Sequence, residues 1–213
     1  MKKISVMLLM CLLATMAKAQ VWGNAQMMYD FGHEYATITG EIGHTQKNGY
    51  GFGFVDLDLG KKADNGAYFE YGYNFKLKKD FYAHVEYDGG ILFNGGITYA
   101  HAALLGGAYQ KVINKTFLEF HLKYRMDIDY RMGNLGHGIQ GTAVWSRKFF
   151  NEHLYFGGYV DLAYNATVNH LTYSTEIHLL YCLKRFGIGT EVELENYASD
   201  FKASPKVMLK YNF

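Results

Sequence analysis

A chain of 213 residues is the length of one domain, and its near-even charge, 21 Lys+Arg against 20 Asp+Glu, leaves no basic footprint for nucleic acid. With 19 Tyr, 15 Phe and 24 Gly against a single Pro, the composition favours strands and turns, and no stretch carries a 3.6-residue apolar period. One all-β domain, undivided by any linker or low-complexity tract, is the expectation.

The N-terminus reads as a secretory signal peptide. Met1-Lys2-Lys3 is a basic start, Ile4 to Leu13 is an apolar run too short to span a bilayer as a helix, and Ala17-Lys18-Ala19 is a small-x-small cleavage site. Cys11 sits inside the apolar run behind bulky Met10, so lipoprotein cleavage there would leave an implausibly short leader. Cleavage after Ala19 removes Lys2, Lys3 and Lys18 and no acid, which turns the mature chain, 20–213, slightly acidic. It also leaves Cys182 alone, which rules out an intramolecular disulfide framework.

About twelve strands follow, near 25–32, 35–45, 50–60, 66–77, 81–91, 97–111, 116–127, 138–150, 154–165, 171–184, 187–197 and 204–213. Their polarity alternates with period 2. Phe69, Tyr71, Tyr73 and Phe75 share one face, with Glu70, Asn74 and Lys76 on the other. Leu118, Phe120, Leu122 and Tyr124 oppose Glu119, His121, Lys123 and Arg125. Ile188, Thr190, Val192 and Leu194 oppose Gly189, Glu191, Glu193 and Glu195. A soluble sandwich or lipocalin-like barrel would alternate too, with its apolar face inward. Two features favour a membrane barrel instead: the polar faces are charged while the apolar faces are aromatic, and the chain closes on an alternating strand ending in Phe213. Such a last strand is what the barrel-assembly machinery reads. Tight turns at 46–49, 78–80, 113–115 and 151–153 alternate with looser connections at 61–65, 92–96, 128–137 and 198–202, which sets both termini on the periplasmic side. The expected fold is a single-chain antiparallel transmembrane β-barrel in a bacterial-type outer membrane.

Several stretches carry a family resemblance: Met28-Tyr29-Asp30-Phe31-Gly32, Gly53-Phe54-Val55-Asp56-Leu57-Asp58, His84-Val85-Glu86-Tyr87-Asp88-Gly89-Gly90, Gly189-Thr190-Glu191-Val192-Glu193-Leu194 and the closing Lys210-Tyr211-Asn212-Phe213. In this order they resemble a short branch of the Tsx-like nucleoside-channel superfamily. The resemblance implies a monomeric twelve-stranded barrel that lets small solutes, nucleosides among them, cross the outer membrane. This chain is shorter than the characterised nucleoside channels, and their substrate contacts do not map onto it position by position. Fold transfers more safely than substrate.

With the polar faces inward, the lumen would hold Asp56, Asp58, Glu70, His84, Glu86, Asp88, Glu119, His121, Lys123, Arg125, Glu176, His178, Glu191, Glu193 and Glu195, with Lys76 and Lys210. Phe52, Phe54 and Tyr68 beside Asp56, Asp58 and Glu70 are the candidate nucleoside contacts, rings for the base and carboxylates for the sugar hydroxyls. The plainer role for any one charge is an internal salt bridge. His84, Glu86 and Asp88 on one strand face could form an acid–base pair or part of a metal site, alternate residues lying about 6.5–7 Å apart. Lumen lining is the simpler role, and no catalytic residue, metal or cofactor is assigned. Ser146 and Ser174 are possible inward hydroxyls without a His at motif spacing. Gly49-Tyr50-Gly51-Phe52-Gly53 precedes no helix and is no phosphate cradle. The reading is a passive channel for small hydrophilic solutes and not an enzyme. A closed structural or surface-binding barrel is the alternative, and a barrel hydrolase or acyltransferase the third.

Overall fold

The computed structural model describes residues 20–60, 65–128, 136–196 and 201–213. They form strands β1 (Gln20–Asp30), β2 (Tyr35–Gln46), β3 (Gly49–Leu59), β4 (Gly66–Lys78), β5 (Phe81–Leu92), β6 (Ile97–Ile113), β7 (Thr116–Asp127), β8 (His137–Phe149), β9 (Leu154–Asn165), β10 (His170–Leu183), β11 (Phe186–Glu195) and β12 (Lys202–Asn212). Each strand pairs antiparallel with its sequence neighbours, and β1 pairs with β12 to close a twelve-stranded barrel. Closure leaves no edge strand with unpaired backbone groups, the condition for crossing a bilayer in β-structure. The expected signal peptide, 1–19, lies outside the described residues, as do most of the looser connections expected at 61–65, 128–137 and 198–202.

At the end of the barrel that carries Gln20 and Phe213, the connections are tight. Lys47-Asn48, Lys79-Asp80, Asn114-Lys115 and Lys184-Arg185 are two-residue turns. Asn114 and Lys115 both have positive φ (49° and 66°), the conformation whose twist matches a two-residue hairpin. At the opposite end, Asp30 Oδ1 accepts hydrogen bonds from the backbone N–H of Gly32 (2.7 Å) and His33 (2.9 Å) and sets the β1–β2 loop. Pro205 sits where β12 passes beyond β1. Asp30 pairs with Lys206, and the Phe31 N–H reaches the Pro205 carbonyl at 3.1 Å, so the ring's missing donor falls just past the end of the β1 ladder.

The alternation has a definite sense. Val55, Phe69, Tyr71, Leu105, Leu122, Ile139, Leu162 and Leu209 stand exposed on the outside. Phe69, Tyr71 and Tyr73 point outward with Val55, Gly53 and Gly51 as register partners, while Glu70 between them points inward beside Phe54 and Asp88. Outer rings cluster at the tight-turn end, where Tyr73 and Phe75 lie 4.6 Å apart and His44 packs on Tyr73 at 5.7 Å. An aromatic girdle above an apolar band is what a headgroup layer above hydrocarbon selects.

Candidate functional site: the lumen wall

Register places most inward residues against two cross-strand neighbours, and the inner face is polar nearly all the way round. Among the described strands the inward acids are Asp30, Glu41, Asp56, Asp58, Glu70, Glu86, Asp88, Glu119, Asp127, Asp161, Glu176, Glu191, Glu193 and Glu195. The inward bases are Lys76, Lys123, Arg125, Lys148, Lys202, Lys206 and Lys210. The acids outnumber the bases. Two networks organise many of them.

The first network spans β4, β5, β7 and β8. Lys123 Nζ donates to Glu86 Oε1 at 2.7 Å, and His84 holds Glu86 Oε2 through Nε2 at 2.8 Å while Nδ1 meets Asn74 Oδ1 at 3.0 Å. Arg125 donates to Asp88 and Gln140 through Nη1, both at 3.0 Å, and to Asp127 through Nε at 2.8 Å. His121 Nε2 lies 2.5 Å from Glu119, and the His121 and His84 rings meet edge-on at 4.5 Å. Facing these long bases, β6 offers Ala102, Leu104, Gly106 and Ala108, register partners of Asp127, Arg125, Lys123 and His121. The small Ala102, Gly106 and Ala108 leave room for Lys123 and Arg125 to reach toward β5.

The second network spans β10, β11 and β12. Lys206 Nζ donates to Glu191 Oε1 (2.7 Å) and sits 2.8 Å from Glu193 Oε2, and His178 Nε2 reaches Glu191 at 3.0 Å and Glu176 at 3.4 Å. Glu41 on β2 accepts from Asn24 and, at 2.6 Å, from Gln26 on β1, and across the β1–β12 seam from Lys210 at 3.3 Å. Met28, Leu180 and Met208 form a small apolar patch on the same wall, with Tyr155 and Cys182 against it.

All the lumen candidates named from sequence fall on the inner face, but they do not converge on one spot. Glu70 accepts from the Tyr68 hydroxyl at 2.7 Å and sits with Glu86 and Asp88, their carboxylate oxygens within 4.8 Å of one another. Lys123 and Arg125 bring the positive charge to that group. Glu176, His178 and Glu191 gather in the same way, with Lys206 against them. Asp56 and Asp58 belong to neither network; they accept from Thr39 and, at 2.8 Å, from Thr37 on β2. His84 spends both ring nitrogens inside the ion-pair network, the arrangement of a structural histidine.

Ser146 and Ser174 face the lumen beside Phe117, Gly157, Asp161 and Glu195, with no His among these register partners. Near the rim, His33 meets Asp30 Oδ2 at 3.0 Å and Ser204 Oγ at 3.1 Å, both through Nδ1. A nucleophile–base–orienter relay needs the two partners on different ring nitrogens. This trio clips the β1–β2 loop to β12.

Sequence reasoning passed over Trp22, Tyr99, Asp30, Glu41, Asp161 and Lys206. The parity that selected Lys210 also selects Lys206, four residues earlier. Trp22 escaped because the first strand begins at Gln20, earlier than its alternation suggests.

A closed antiparallel barrel, apolar outside and charged inside, is the architecture of an outer-membrane barrel protein. The chain belongs to the family described as Domain of unknown function (DUF5020), whose model matches residues 22–213. Among solved structures it is similar to the NanC porin, with a TM-score of 0.60 at 10% identity over 90% of this chain and 98% of that one. It is similar also to the KdgM porin, at 0.54 and 13% over 90% and 99%, a barrel solved too in complex with disordered oligogalacturonate. No curated protein matches the sequence.

Proposed function

We infer that this chain is exported by its leader, inserted as a monomer by the barrel-assembly machinery through its C-terminal strand, and acts in a bacterial-type outer membrane as a narrow passive channel for small hydrophilic solutes. The polar lining carries the reading. Ion pairs are a poor way to fill a small barrel, since well-packed apolar side chains of similar volume are often as stable or more so. A wall that keeps charge on β3, β4, β5, β7 and β9 to β12 suits a water-bearing path. The porin likeness of the fold agrees with this.

The resemblance to nucleoside channels makes nucleosides the first solute to try, with Phe52, Phe54 and Tyr68 offered to the base and Asp56, Asp58 and Glu70 to ribose hydroxyls. A polyanionic sugar such as the oligogalacturonate bound by one structural neighbour meets the wrong charge here, because inward acids outnumber bases. The second reading, a closed barrel, is favoured by one observation: Asp88, Glu191 and Lys123 are only 1%, 2% and 3% exposed. Among the described residues, the Ser204–His33–Asp30 trio holds both partners on one ring nitrogen and so gives an enzymatic role no relay to support it.

Purified, refolded protein in planar bilayers decides between the two. Steady, small, cation-preferring steps support the channel. A silent bilayer over protein that migrates as a folded, heat-modifiable band supports the closed barrel.

A further inference from the structure

Five aromatic rings on the inner face touch in series. Trp22 on β1 stacks with Phe52 on β3 at 5.8 Å between ring centroids, and Phe52 meets Phe54 at 6.4 Å. Phe54 meets Tyr68 on β4 at 6.1 Å, and Tyr68 stacks with Tyr99 on β6 at 6.3 Å. Trp22 lies near the tight-turn end of the barrel and Tyr99 near the start of β6 at the opposite end, so the series runs the length of the wall.

The sheet is shaped for these rings. A Cβ at Gly43, the register partner of both Trp22 and Phe52, would lie 2.2 Å from the Trp22 ring. One at Gly90, the partner of Tyr68 and Tyr99, would lie 2.3 Å from the Tyr99 ring. Glycine at both positions lets a large ring lie flat against the backbone. Core filling does not account for the series. Inward apolar Leu180 and Met208 are each 1% exposed, whereas inward Trp22 and Phe52 remain 45% and 38% exposed. Phe54, Tyr68 and Tyr99 are half-buried, but the two rings that stay in water on the inside of the barrel offer their faces to something else.

Hydrogen-bond acceptors flank the rings. Asp56 and Asp58 follow Phe54 along β3, and Glu70 follows Tyr68 along β4. Each uses one oxygen on a Thr or Tyr hydroxyl and keeps acceptor capacity for further donors.

We propose that Trp22, Phe52, Phe54, Tyr68 and Tyr99 form a slide for neutral solutes that have one flat apolar face and a hydroxylated edge, the chemistry shared by pyranose sugars and nucleosides. The proposal rests on the channel reading and deepens it. The solute's face moves from ring to ring, exchanging one stacking contact for the next. Its hydroxyls donate to the carboxylates alongside, and a ring–base contact is worth about 1–3 kcal/mol without sequence or orientation demands. Weak, repeated, equivalent contacts lower the barrier to passage without trapping the solute.

The test uses two readouts. Trp145 is the second of the two tryptophans and points outward beside Leu118 and Gly158, so Trp145→Phe leaves Trp22 as the sole tryptophan reporter. In detergent, titration of this folded variant with maltotriose and, separately, with uridine should shift or quench Trp22 emission saturably. In planar bilayers the same probes should interrupt the ionic current of the wild-type channel. Phe52→Leu keeps apolar volume but removes the ring, and Tyr68→Leu does the same on β4; each should shorten the interruptions at least fivefold. Response to maltotriose alone assigns the slide to sugars, and response to uridine alone assigns it to nucleosides. A silent bilayer with a saturable Trp22 response leaves the rings as a solute-binding wall and overturns the channel and, with it, the slide. Current that ignores both probes with Trp22 emission unmoved overturns the slide, as does full retention of the interruptions in both leucine variants.

Discussion

Replacing Lys206 with methionine asks how dry the lumen is. Its ammonium lies 2.7 Å from Glu191 Oε1 and 2.8 Å from Glu193 Oε2, and Glu191 is almost wholly buried. At 2.7 Å the Coulomb attraction of one such pair is about 6 kcal/mol at an effective dielectric of about 20, but about 1.5 kcal/mol in bulk water. Part of the larger figure offsets desolvation of the ions, and His178 at 3.0 Å still partners Glu191 after the substitution. Removing the base should therefore cost about 3–5 kcal/mol if the site is dry, the usual loss when one partner of a buried pair is stranded. Adding Glu191→Gln should recover a kilocalorie or more, because the uncompensated charge goes with it. Equilibrium unfolding by urea in lipid vesicles, followed by heat-modifiable migration, measures both. A loss below about 1 kcal/mol with no recovery in the double variant would mean a water-screened pair, and would refute a dry lumen here and with it the support that buried Glu191 lends the closed-barrel reading.

Facing gives a second expectation. Phe69→Arg should cost up to about 2–4 kcal/mol, the mid-depth figure for a lipid-facing Arg, while Glu70→Gln, one residue away and inward, should cost less because Tyr68 can still donate to it; equal losses would reverse the assignment of faces. Adjacent glycines on β6 give a third. A Cβ at Gly106 would stand 2.0 Å from the Leu122 carbonyl oxygen, whereas at Gly107 the nearest atom is 3.7 Å away, so Gly106→Ala should lose about 1–3 kcal/mol and Gly107→Ala little. Matching urea midpoints for the two would count against the β6–β7 register. Finally, Asp56→Asn and Asp58→Asn keep size and remove charge. Both should lower the cation preference read from reversal potentials and reduce the passage of uridine and of maltotriose; unchanged selectivity and passage would make them wall fasteners for Thr39 and Thr37.

Much of this barrel is written in period 2. Alternation through Phe69, Glu70, Tyr71 or Leu118, Glu119, Phe120 tells which side chain shares a face with which, because successive residues of a strand point opposite ways whatever the strand pairs with. Turn chemistry at Asn114-Lys115 and the aromatic C-terminus then order the strands, and an even number of them returns both termini to one end. The inner face follows from the same parity, as does its excess of acid.

Parity is silent about partners. Sliding one strand by two residues keeps every face and changes every neighbour, so Lys123 on Glu86, Arg125 on Asp88 and Lys206 on Glu191 are decided by register alone. Closure between β1 and β12 is equally non-local: it brings Lys210 to Glu41 and His33 to Ser204 from opposite ends of the chain. The same closure curves the wall so that Trp22, Phe52, Phe54, Tyr68 and Tyr99, drawn from four strands, meet in one series. In the sequence they are five scattered aromatics among many, since stacking depends on distances across strands that a linear pattern does not contain.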